Sequence, residues 1–145
     1  MKVIKRISIF LILISLISIS FYGFQKNRQS IKISNELIEK YLMNIQKNNF
    51  DDAFQFSSFS KEDIENAWQN HFEIYGNLLR WEFAKTITEN NIFENDEKIR
   101  VNVHLYFSHS KEQIFLVFYV KKIKGKFKIS KSVRLNNNIY LGEIW

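Results

Sequence analysis

The sequence predicts an α+β chain: an N-terminal transmembrane or signal helix, then about three helices packed on a curved, mostly antiparallel four-stranded sheet. Three observations predict it. An uncharged apolar run fills Ile7–Phe24 behind a basic leader. From Leu37 to Tyr75 the apolar residues recur at helical spacing. After Gly76 the period drops to two, the alternation of half-buried strands.

The leader Met1-Lys-Val-Ile-Lys-Arg6 carries the charge, and the run behind it carries none. Charge is costly at a bilayer centre, and eighteen helical residues rise about 27 Å, close to the hydrocarbon thickness. The segment 1–24 therefore reads as a signal anchor, or as a signal peptide cut before Phe21 with Ser18 and Ser20 as the small residues. Bases flank the run on both sides, so the positive-inside rule alone leaves orientation open. The short leader favours export: a single-pass cell-membrane protein with its domain outside the cytoplasm, or a secreted one if the signal is cleaved.

Residues 25–33 are expected as a polar linker, 34–135 as the folded domain and 136–145 as an apolar tail. Ser34 suits a helix N-cap, with Glu36 in the first turn and Ile33 and Ile38 as a hydrophobic staple. The stripe Leu37, Ile38, Tyr41, Leu42 and Ile45 follows, and Lys47-Asn48-Asn49 ends it. A short second helix uses Phe50, Ala53 and Phe54. Ser60 and Asp63 form a capping-box-like start to a third, with Ile64, Ala67, Trp68, His71, Phe72 and Tyr75 on one stripe and Gly76 as the stop. In the first strand Leu79, Trp81, Phe83 and Ile87 share a parity, and residues 90–97 make a polar connection. The second alternates Ile99, Val101, Val103, Leu105 and Phe107 with Arg100, Asn102, His104 and Tyr106. Ile114–Val120 is apolar throughout, which predicts a central strand covered on both faces. Lys124-Gly125-Lys126 is a tight turn into Phe127, Ile129, Val133 and Leu135.

Composition narrows function mainly by exclusion. With 46% hydrophobic and 16% aromatic residues the chain is not disordered. Zero cysteines remove disulfides, thiolate metal sites, a thiol nucleophile and a lipidated cysteine. The net charge of +6 is uneven: residues 1–29 are basic, 30–110 acidic on balance, and 111–145 basic again. This distribution and the expected export argue against nucleic acid as a partner. Three histidines without metal-type spacing point to no metal, and no cofactor motif is present.

The order of these segments carries a resemblance. A first amphipathic helix precedes Asn49-Phe50-Asp51-Asp52-Ala53-Phe54. Next come a capped helix bearing Trp68 and ending Tyr75-Gly76-Asn77-Leu78, then four long strands. Over roughly residues 34–135 the chain resembles small exported domains of the nuclear-transport-factor-2-like superfamily, which includes polyketide-cyclase-like and ketosteroid-isomerase-like proteins. The resemblance implies a curved sheet closing a cone around the helices. Its members include isomerases, dehydratases, transport factors and envelope scaffolds, so it implies no single activity.

Two groups of residues are candidates. Trp68, His71, Tyr75 and Trp81, with Lys85 and Lys131 breaking the inward apolar parity, would line a ligand pocket; His71 and Tyr75 are its acid–base candidates. No aspartate or glutamate falls on the inward parity, which counts against proton abstraction. Tyr106, Phe115, Val117 and Tyr119, near Lys121, Lys128 and Arg134, would form an aromatic, basic outer face for a homodimer or protein partner. The leading expectation is a non-enzymatic, membrane-anchored extracytoplasmic domain binding a protein partner or small ligand. An isomerase- or dehydratase-like enzyme and an assembly scaffold of an envelope or secretion complex are the alternatives.

Overall fold

The computed structural model describes residues 2–90, 97–136 and 139–143, with side chains from Ile12 to Glu89 and from Lys98 to Arg134. The chain divides into two compact units, Met1–Ser30 and Ile31–Trp145.

Helix α1 runs without interruption from Lys2 to Gln46. The linker expected at 25–33 is therefore helical, and Ser34 is not a cap but a fully buried mid-helix residue. Nothing between Phe24 and Ser34 breaks a helix: the stretch holds neither glycine nor proline, and Gln, Lys and Arg are good helix formers. In the first unit the nine large apolar side chains from Ile12 to Phe24 all face solvent. Among the described residues no helix is long and apolar enough to cross a membrane. Ile7–Leu11 of the expected span lie outside the described side chains.

In the second unit Asn48 adopts φ +55°, the left-handed conformation that turns the chain after α1. Asn49 then caps α2 (Phe50–Phe54), its side chain accepting from the Asp52 N–H. Ser60 caps α3 (Lys61–Tyr75) by accepting from the Asp63 N–H and donating to its carboxylate. At the far end Gly76 has φ +78° and donates to the Phe72 carbonyl. Both ends of α3 thus match the sequence reading.

Strands β1 (Leu78–Asn90), β2 (Glu97–Phe107), β3 (Ile114–Ile123), β4 (Lys126–Asn136) and β5 (Ile139–Glu143) form one antiparallel sheet in chain order. The four expected strands are present. Part of the expected tail is the fifth, pairing with β4 at Val133–Asn136. Residues 91–96, within the expected polar connection, and residues 137–138 and 144–145 lie outside the described residues.

The helix-facing side of the sheet holds Ile99, Val101, Val103, Leu105, Phe107, Ile114, Leu116, Phe118, Val120 and Ile129, all buried. Leu37, Ile38, Tyr41, Leu42 and Ile45 of α1, with Phe50, Ala53, Ile64 and Trp68, complete the core. Tyr41, Trp68 and Phe118 are almost wholly buried together: the Trp68 indole N–H donates to the Tyr41 hydroxyl at 2.8 Å, and Tyr41 meets Phe118 edge-on at 5.9 Å. Burial pushes the Tyr41 phenol far above its usual range, so it stays protonated.

Alternation holds without interruption in β2 and fails in β1 and β4, because extra residues stand in their ladders. Leu79 and Ala84 are unopposed in β1, as is Ser130 in β4. Each such bulge resets the parity. Leu78 is buried in place of Leu79, which is exposed. Beyond Ala84, Thr86 faces the helices, opposite Val101, and donates to the Asn35 side chain of α1 at 2.7 Å; Ile87 lies opposite Arg100 on the outer face. Beyond Ser130, Ser132 lies opposite the core residue Phe118, and Val133 opposite Val117 on the outer face.

Candidate functional site

The bulges redistribute the candidate residues. Lys85 pairs with Asn102 and Lys131 with Tyr119, so both belong to the outer face and neither enters an interior pocket. Arg134 makes the opposite move. Expected on the outer face, it pairs with the core residue Leu116, and its guanidinium lies 4.9 Å from the centre of the Tyr75 ring.

Trp68, His71 and Tyr75 are brought together as expected, their rings 5.7 and 6.0 Å apart along α3. Tyr75 also packs on Phe107 at 5.8 Å, and Trp81, opposite Leu105, packs against the core. The His71 Nδ1 lies 2.8 Å from the Ala67 carbonyl. A carbonyl only accepts, so Nδ1 carries the proton and Nε2 the lone pair. Burial pulls the imidazole below its usual range, against the Ala67 hydrogen bond and with help from the Arg134 charge. A proton taken at Nε2 would add a second positive charge beside Arg134. No carboxylate among the described residues acts on His71 to offset it.

This arrangement sets a pH dependence. The unfolded chain binds the His71 proton near its ordinary value, and the folded chain only below it. The histidine's contribution is thus fully present above the unfolded pKa and is lost as pH falls through it toward the folded one. Urea unfolding across that range should show a steeper loss of stability for the wild type than for His71→Gln. Equal slopes would remove His71 from the account.

The outer face holds Tyr106, Phe115, Val117, Tyr119 and Lys121 together, as expected. Its aromatic residues are already engaged. Arg80 stacks on Tyr106 at 3.9 Å, Lys98 on Tyr119 at 4.5 Å and His104 on Phe115 at 4.8 Å. The Tyr106 hydroxyl lies 3.0 Å from the Glu82 carboxylate, and Val117 is only 3% exposed. The central strand is thus largely covered by its own neighbours. Lys128 lies opposite Lys121, but its ammonium turns away to donate to the Gln55 carbonyl.

That last contact belongs to a site that alternation does not reveal. The chain after α2 is stitched to β4: the Ile129 N–H donates to the Phe56 carbonyl and the Ser58 N–H to the Ile129 carbonyl, each at 2.9 Å. The β3–β4 turn at Lys124 and Gly125 has φ +49° and +83°, the two-residue turn that suits strand twist. Between this hairpin, the end of α2 and one flank of α1 lies an open groove of about 810 Å³. It is lined by the apolar side chains of Ile33, Leu37, Phe54, Phe56 and Phe127 together with Lys40, Lys122, Lys126, Lys128 and Glu36. Phe54 is 44% exposed. The visible sign in the sequence was the lysine density of 121–128; the apolar lining comes from three separate elements and had none. No family model, curated protein or solved structure matches the chain.

Proposed function

We propose that this protein is a non-enzymatic binding domain that takes a partner or small ligand in the groove between α1, α2 and the β3–β4 hairpin. The observation that carries the reading is the groove itself, lined by apolar side chains and four lysines and of a size usual for ligand sites. The filled centre at Tyr41, Trp68 and Phe118 supports it. The exposed apolar side chains from Ile12 to Phe24 support a companion proposal, that this segment sits in a membrane, and the short basic leader supports placing the domain outside the cytoplasm. The helix order and antiparallel sheet support a nuclear-transport-factor-2-like build as part of the same reading.

Native mass spectrometry of the full chain, extracted in mild detergent, tests the groove. The wild type is expected to carry an adduct that Phe54→Glu loses while keeping its melting temperature. An adduct retained by Phe54→Glu, or none on either protein, overturns the reading. Protease accessibility on intact cells, with the mass of the mature chain, tests the membrane proposal.

A further inference from the structure

The tip of the β3–β4 hairpin reads Lys121-Lys-Ile-Lys-Gly-Lys-Phe-Lys128, five lysines in eight residues. Three of them, Lys122, Lys126 and Lys128, line the same groove as Lys40 of α1. The carboxylate in the lining, Glu36, is already engaged by Lys32 at 3.9 Å. Among the described residues none of these four lysines has a carboxylate partner. Four positive charges therefore share the lining with one carboxylate and five apolar side chains.

We propose that the groove takes a single-chain amphiphile drawn from a lipid membrane, its aliphatic chain on the Phe54, Phe56 and Phe127 side chains and its carboxylate or phosphate head among the lysines. The inference rests on the groove being the binding site and names the class of its occupant. Three features favour an amphiphile over an acidic peptide. The cations are all lysines, flexible point charges whose stems lie along apolar surface. Protein interfaces are instead enriched in arginine and depleted in lysine. The β4 edge at Ile129 is already paired with Phe56 and Ser58, so an extended peptide finds no ladder to join there. A membrane around the exposed apolar residues from Ile12 to Phe24, as proposed above, would also keep the domain near lipid.

The test uses the full chain in phosphatidylcholine vesicles with a diazirine-bearing palmitic acid, cross-links being mapped by mass spectrometry. Cross-links are expected at Phe54–Phe56 and Lys126–Phe127. Each lysine near an anionic head contributes about fivefold, so Lys122→Ala/Lys126→Ala should reduce groove labelling more than tenfold. Labelling of Ile12–Phe24 should be unchanged in that variant, and Lys47→Ala/Lys111→Ala, which removes equal charge elsewhere, should alter neither site. A diazirine-bearing hexadecanol, with the same chain and no charge, should label the groove at less than a tenth of the acid's level. Equal labelling by acid and alcohol, or labelling confined to Ile12–Phe24, overturns the assignment. A photoreactive acidic amphipathic peptide separates the two levels of failure. If it labels the groove where the acid does not, the groove remains a binding site and the amphiphile is wrong. If neither labels it, both readings fall.

Discussion

Trp68→Ala is expected to destabilise the protein by about 3–5 kcal/mol, the range for emptying a large aromatic site in a packed core. Trp68 is 1% exposed, packs against Tyr41 and Phe72, and gives its indole N–H to the Tyr41 hydroxyl. Alanine leaves a cavity between α3 and the sheet and removes the donor from a fully buried phenol. Since domains of this size are stable by about 5–15 kcal/mol, little would remain. In urea the midpoint should fall by roughly 2 M with the slope unchanged. Trp68→Phe, which keeps most of the volume but loses the hydrogen bond, should cost about 1–2 kcal/mol. A midpoint for Trp68→Ala close to that of the wild type would show that this part of the core collapses freely.

Gly76→Ala should be nearly as damaging, at about 3–4 kcal/mol, for a different reason. The residue combines φ +78° with ψ −164°, a conformation open essentially to glycine alone. A β-carbon there would also overlap the Ser108 hydroxyl and stand 2.8 Å from the His109 ring. The turn cannot easily withdraw. The Ser108 N–H donates to the Asn77 carbonyl and the His109 N–H to the Tyr75 carbonyl, each at 2.9 Å. Ser108→Gly combined with Gly76→Ala should be less destabilised than the two single effects added together, because the hydroxyl overlap is gone while the backbone strain and the His109 contact remain. Strict additivity in thermal or urea unfolding would show that the hydroxyl overlap contributes nothing.

How far the sequence could be read depended on how local each cause was. Ser60, Gly76 and the Lys124–Gly125 turn act through their immediate backbone, and each stands where its residue type implied. The burial of β2 follows its alternation from Ile99 to Phe107. The continuous α1 was obscured because Ser34 reads as a cap on local grounds, whereas in the structure it is a buried residue within the helix. Arg134 was misplaced by one uncounted residue in its strand, as were Lys85 and Lys131 in theirs. Of the groove, only the lysine cluster was visible. Ile33, Phe54 and Phe127 are separated by about 20 and 70 residues and meet only through the tertiary fold.

The extra residues at Leu79, Ala84 and Ser130 mark where the strands can change length. Losing one of them restores regular pairing and leaves every neighbour on its present side, since Leu78 and Arg80, Phe83 and Lys85, or Ile129 and Lys131, already face opposite ways. Losing any other single residue between regularly paired positions of β1 or β4 would exchange the wet and dry surfaces of everything beyond it. Homologues that differ from this chain by one residue in these strands are therefore expected to differ at position 79, 84 or 130, and an alignment that puts the gap among the regularly paired residues further along would exchange core and outer residues.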